Sequence, residues 1–222
     1  CHYIGLLPAG GVEDITDFWY WLSTNAYNSF GLSLAAEMLV EIKHPDATEI
    51  VIEAAEYKKA MKNTFIQAME RSPVIRLQNG FFQPMIPCHA QRRGRGFGWI
   101  QEVLEGPIHL IRCGIIPAKS REATWIIRDL EDNLYLSEEF GYPIVGPEFY
   151  KYWFTKGGFS MQPYLLCNPQ VYAMRDEPKH FLRAVFNAFA VNYRTDTKSF
   201  TEHPLPTFYD FWGHFFKTSD EA

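Results

Sequence analysis

Apolar and polar positions follow the period of a helix over much of this chain. From Ser29 onward, Leu32, Ala35, Ala36 and Leu39 recur at spacings of three, four and seven, which places them on one buried stripe. Gly31 interrupts that run, so the aromatic block before it, Phe18 to Trp21, either joins the helix or stands outside it. His44-Pro45 ends the segment, and Asp46 is placed to cap the next helix. There, Ile50, Ala54, Tyr57, Met61, Phe65 and Met69 form one stripe, while Glu53, Glu56, Lys58, Lys59 and Lys62 occupy the wet side. Ser72-Pro73 closes this second helix. Two long helices joined by a short turn predict an antiparallel hairpin.

The pattern then changes. VIRL reads as a short strand, and FFQPMIP is held extended by its prolines. A third helix is expected from Trp99 to Gly114, with a kink or break at Pro107. Ser120 caps a fourth helix reaching about Leu136, with Glu122 in its first turn and Ile127, Leu130 and Leu134 inward. This pair predicts a second helical hairpin. A fifth helix is expected over Pro163–Met174, disturbed by Pro169. Asp176-Glu177-Pro178 starts a sixth, whose apolar face is Phe181, Leu182, Val185, Phe186, Phe189 and Tyr193. The pattern therefore predicts an all-α chain of antiparallel helical hairpins with minor short β segments, organised as a single helical domain over 1–222.

Composition narrows the function. A chain of 222 residues with 47% hydrophobic and 16% aromatic content can build a sizeable core. Its formal net charge of −5 argues against a nucleic-acid partner, which wants a broadly basic face. No apolar run approaches the roughly 20 residues of a membrane span. Cys1, Cys88, Cys113 and Cys167 form no CxxC pair, and His44, His109, His180 and His214 are dispersed, so neither a metal nor any other cofactor is expected. Tyr3 to Gly11 reads as a loop inside a domain, which predicts a piece of a longer catalytic polypeptide; the other reading is a lipoprotein whose mature chain begins with Cys1.

Candidate chemistry gathers in the loops. Gly5 to Glu37 opens with a Gly/Pro-rich stretch, sets Glu13, Asp14 and Asp17 close together, and then presents Phe18, Trp19, Tyr20 and Trp21. Glycines let backbone approach a ligand, carboxylates move protons, and flat rings stack on flat ligands. The same residues also suit a polar turn before a buried aromatic helix start. Arg92, Arg93 and Arg95 stand between glycines, either as a solvated basic loop or as a clamp whose guanidinium forks engage carboxylates.

GLLPAGGVED…YWLSTNAY, GL..AAE and HPDA..I..EA..Y, with GWIQEVLEGPIHLIRCGII and KHFLRAVFNAFA after them, resemble the hairpins of the six-hairpin glycosidases, carbohydrate-active enzymes built as (α/α)6 toroids. Three hairpins are about half of such a ring, so the resemblance implies that the rest lies outside this sequence or is supplied by a partner, including a homo-oligomer. It implies a carbohydrate substrate, and a periplasmic or secreted setting if the parent chain degrades glycans. Phe200-Thr201-Glu202 resembles the place where that family sets a glutamate near the cavity.

The first expectation is thus a glycoside hydrolase, in which one carboxyl protonates the leaving oxygen and a second acts as base or nucleophile. Glu202 with Asp14, Asp17 or Glu139 would be the pair. Trp19, Trp21, Trp99, Tyr152 and Trp153 would stack on sugar rings, with Arg93 and Arg95 beside them; helix packing is the competing role for each Trp. A second expectation is a lyase on uronic-acid chains, using Arg92, Arg93 and Arg95 on the carboxylate and His89, His203 or Tyr142 as base. A third is a non-catalytic module that binds glycan or protein.

Overall fold

A computed structural model of the chain describes residues 5–12, 15–77, 79–91, 93, 106–136, 168–194 and 198–200. The chain divides into two compact units, Cys1–Ile126 and Ile127–Ala222. The described residues are mostly helical, with three two-stranded antiparallel ribbons, which agrees with an all-α class carrying minor strands.

In the first unit, β1 (Gly10–Val12) pairs with β2 (Ile15–Trp19). Half of the aromatic block is therefore strand. The block feeds α1 (Leu22–Glu41) and does not extend it, because the chain is claimed at Tyr20 to Leu22 by backbone pairing with Cys88 to Ala90. Gly31 lies inside α1 without ending it. The expected stripe on this helix is displaced. Leu22, Ser23, Asn25, Ala26, Ser29 and Ala36 are the buried positions, whereas Ala35 is exposed and Leu32 and Leu39 are half-buried. Small and polar residues thus carry the inner face, and an apolar count alone points away from it.

α2 (Ala47–Glu70) follows the sequence pattern closely. Ala54, Met61, Phe65 and Met69 are buried, Ile50 and Tyr57 are half-buried, and the five charged positions are exposed. α1 and α2 pack on each other as the expected hairpin. β3 (Val74–Arg76) and β4 (Phe82–Pro84) then form a small ribbon, with Val74 opposite Pro84. Gln83 of this ribbon is buried and donates through Nε2 to the Trp125 carbonyl at 2.9 Å.

The third expected helix is described only as α3 (Ile108–Arg112), which starts immediately after Pro107. Trp99 to Glu105 lie outside the described residues. Gly114, at φ +68°, ends the segment as expected. α3 packs on α1. α4 (Arg121–Leu136) begins in the first unit and continues into the second. Ser120 Oγ accepts from the Ala123 amide at 3.1 Å, the predicted cap. The Glu122 carboxyl is held below its usual range chiefly by its own backbone amide; burial opposes this, and smaller lowering contributions come from Arg121 and Ser120. Ile127 and Leu130 are buried, as the pattern requires.

In the second unit, α5 (Asn168–Met174) packs on α6 (Pro178–Asn192). Tyr172 donates to Glu131 Oε1, and its ring lies 5.4 Å from that of His180. Pro178 occupies the first turn of α6, as predicted. The expected apolar face of α6 is less buried than its composition implies. Ala184 is buried and Phe181 half-buried, while Leu182, Val185 and Phe186 are exposed. The seven residues of α5 are about two turns, too short to cover four turns of α6. β5 (Tyr193–Arg194) and β6 (Ser199–Phe200) form the last ribbon.

Candidate ligand-binding site

Among the described residues, the aromatic rim and the start of the basic loop meet. The Ala90 amide donates to the Tyr20 carbonyl at 3.0 Å, and the Leu22 amide donates to the Cys88 carbonyl at 3.1 Å. Gln91 Oε1 accepts from the Tyr20 amide at 3.1 Å, and Arg71 donates to the Ala90 carbonyl at 3.2 Å. These bonds fix residues 88–91 alongside the entry to α1. They also bring two stretches 70 positions apart in sequence into one surface.

His89 is the centre of that surface. Its ring stacks on Trp19, with centroids 4.5 Å apart and planes at 14°, and meets Trp21 edge-on at 5.5 Å and 81°. His89 and Trp21 are 3% and 2% exposed, whereas Trp19 is half-buried and its neighbour Phe18 is 73% exposed. The Trp21 indole donates to the Gly10 carbonyl at 2.8 Å, which ties the shelf to the glycine-rich ribbon. Gly10 has open space where a Cβ would stand. Of the two indoles Trp19 is thus the one with accessible surface, and Trp21, expected to stack on substrate, is buried against His89 beneath it. Arg93 is exposed in a bend two residues beyond Gln91, and Asp17 lies on β2 two positions before Trp19.

The remaining expected site residues, Asp14, Glu139, Glu202, Arg95, Trp99, Tyr152 and Trp153, lie outside the described residues, as do Arg92, Tyr142 and His203 of the lyase expectation. Cys88 and Cys113, the two cysteines among the described residues, are both buried. Among the described residues no group of three His, Cys, Asp or Glu could hold a metal ion. None of the helices there is long and apolar enough to cross a membrane.

A second polar cluster was not legible from spacing. Arg112 donates to the Tyr27 hydroxyl at 2.9 Å and lies 5.4 Å from that ring's centroid. The same hydroxyl is 2.9 Å from His109 Nδ1. Arg112 can only donate, so the phenol oxygen accepts from it and, opposite a neutral imidazole, directs its own hydrogen to Nδ1. His109 is buried and Tyr27 is 38% exposed. The three residues sit on α1 and α3, over 80 positions apart, and only the packing of those helices unites them.

No family model, curated protein or solved structure matches the chain.

Proposed function

We propose that this chain is part of a carbohydrate-active enzyme of the six-hairpin type, a glycoside hydrolase that binds sugar on the Trp19–His89 shelf. The observation that carries this reading is the half-buried Trp19 ring, stacked on a buried imidazole. A ring whose one face is fixed by the protein offers the other at small entropic cost, and sugar C–H faces pack on such rings. The helical hairpin α1–α2 and the pairing of α5 with α6 support a hairpin architecture. In the proposed ring, Glu202 with Asp14, Asp17 or Glu139 supplies the acid and its partner carboxylate. The substrate is an oligo- or polysaccharide.

The test is a titration of intrinsic tryptophan fluorescence with a panel of neutral and uronate oligosaccharides, paired with product analysis. Trp19→Ala is expected to weaken binding about tenfold or more, and Glu202→Gln to abolish hydrolysis with binding retained. Unchanged binding in Trp19→Ala would remove the shelf from the site, and full activity in Glu202→Gln would remove that carboxyl.

The Arg112–Tyr27–His109 cluster favours a second reading, elimination on uronic-acid chains. Once the Tyr27 hydroxyl has given its hydrogen to His109 Nδ1, the phenolate, stabilised by the Arg112 guanidinium, is able to take a proton from carbon. An unsaturated product absorbing in the ultraviolet, lost in Tyr27→Phe, would select this reading over hydrolysis.

A further inference from the structure

The β3–β4 ribbon turns through Asn79 and Gly80, the first exposed and the second half-buried at φ +90°. The Leu77 amide donates to the Phe81 carbonyl at 2.8 Å, which closes the ribbon. Asn79 Oδ1 accepts from the Phe81 amide at 3.1 Å, so the side-chain carbonyl is folded back along the backbone of Gly80 and polarised there. Arg76 Nη2 lies 3.8 Å from where a Cβ of Gly80 would stand. Arg76 is exposed and makes no ion pair among the described residues. The carboxamide carbon of an asparagine is an electrophile, and the nitrogen of the next residue closes a succinimide ring on it wherever the backbone allows the approach. Elsewhere in the chain it does not. Asn25, Asn28, Asn63, Asn133 and Asn187 lie inside helices, where the following amide is committed to the helical ladder. Asn168 precedes Pro169, which has no N–H, and Asn192 precedes the bulky Tyr193 at the end of α6.

We propose that Asn79 is a site of self-modification, where the turn promotes its own deamidation. The Gly80 nitrogen, its proton lost to hydroxide, attacks Asn79 Cγ. The N–Cγ bond forms, the Cγ–Nδ2 bond breaks, and ammonia leaves with a proton taken from water. Water then adds to either succinimide carbonyl and opens the ring to aspartate or isoaspartate. The Phe81 N–H already holds the oxygen on which negative charge develops. The Arg76 guanidinium stands over the residue whose nitrogen becomes anionic, and the missing side chain of Gly80 leaves the path open. One contact opposes the attack. The Gly80 amide donates to the Leu77 carbonyl at 2.9 Å, and opening a single turn bond of this kind slows the reaction by no more than about tenfold. Isoaspartate inserts a methylene into the backbone between Leu77 and Phe81, so conversion unlinks the bond that closes the ribbon and adds a carboxylate within reach of Arg76.

Peptide mapping by mass spectrometry of the full chain, aged at mildly alkaline pH, tests this, with released ammonia measured in the same samples. Asn79 is expected to convert ahead of every other asparagine, giving isoaspartate and aspartate as ammonia appears. Arg76→Gln should slow conversion about threefold at low salt, and the difference should fade as salt is raised. Gly80→Ala should slow it at least about tenfold, since the added Cβ hinders the attacking nitrogen. Asn79→Gln, whose longer side chain would have to close a larger ring, should stop the early ammonia release. A helical asparagine that converts as fast as Asn79, or ammonia release that persists unchanged in Asn79→Gln, overturns the proposal. Should Gly80→Ala fail to fold by circular dichroism, Arg76→Gln decides: slower conversion supports the assignment, and an unchanged rate overturns it.

Discussion

Asn25 shows how a single polar side chain fixes the start of this molecule. Its Oδ1 accepts from the Leu7 amide and from the Tyr57 hydroxyl, each at 2.9 Å, and its Nδ2 donates to the Trp21 carbonyl at 2.7 Å. One amide thus ties the Gly/Pro-rich loop, the aromatic entry and α2 together. Nothing in a hydrophobic pattern marks such a residue, since Asn disfavours helix interiors unless its side chain is bonded locally. Tyr57 reports on the same clamp. Burial raises its pKa to about 12, and an opposing bond with Leu7 is the smaller effect. A raised tyrosine pKa means the neutral phenol is favoured by folding. Its contribution is complete below the ordinary value near 10 and is lost as pH rises towards 12. The difference in ultraviolet phenolate absorbance between parent and Tyr57→Phe is therefore expected to rise near pH 12. A difference that develops fully by pH 10 would mean the hydroxyl is not held in this clamp.

The elements that were legible in the sequence are those in which one periodic signal coincides with burial. α2 is such a case: its stripe from Ala54 to Met69 is buried and its charged flank is wet. The start of α4 is another, because a capping serine acts through its immediate neighbours. α1 was harder to read, because its inner face uses Ser23, Asn25 and Ser29 beside Leu22 and Ala26. The link before it, Tyr20 to Leu22, is paired with residues 88–90, a contact no local window contains. Of the candidate site, Trp19 was readable as a stacking ring and His89 as a base, while their stacking on each other, and the Tyr27 cluster, come from tertiary packing. Gly31 gives an element-scale test. An added Cβ there meets nothing within 4 Å, and the residue lies inside α1. Gly31→Ala should stabilise the chain by about 0.5–1 kcal/mol, since Gly costs that much in a helix interior. Chemical denaturation reads this as a higher midpoint at unchanged slope, and a lower midpoint would mean that the glycine serves a contact on α1's exposed face.

At the scale of the whole molecule, the division into Cys1–Ile126 and Ile127–Ala222 makes cooperativity the question. Each unit carries its own packed helices, α1 with α2 and α3 in the first, α5 with α6 in the second. Folding is all-or-none within a packed core, and separate cores give separable transitions unless a large apolar interface couples them. The units are expected to melt separately, and substitutions confined to one should move one transition. Gly5 tests the first unit. It sits at φ +86°, and an added Cβ would stand 2.9 Å from Ala60 Cβ, so Gly5→Ala adds a backbone penalty of about 1–2 kcal/mol to a steric one. At that cost, the first transition should fall by several degrees in scanning calorimetry. Tyr172→Phe tests the second unit by removing the bond to Glu131. Bonds to a charged partner contribute about 1.5–3 kcal/mol, so the second transition should fall by a comparable amount. Movement of both transitions together in either variant would show one cooperative body. α4, which runs from one unit into the other, would then be the element that couples them, and a substitution that breaks its middle should separate two transitions where the parent has one.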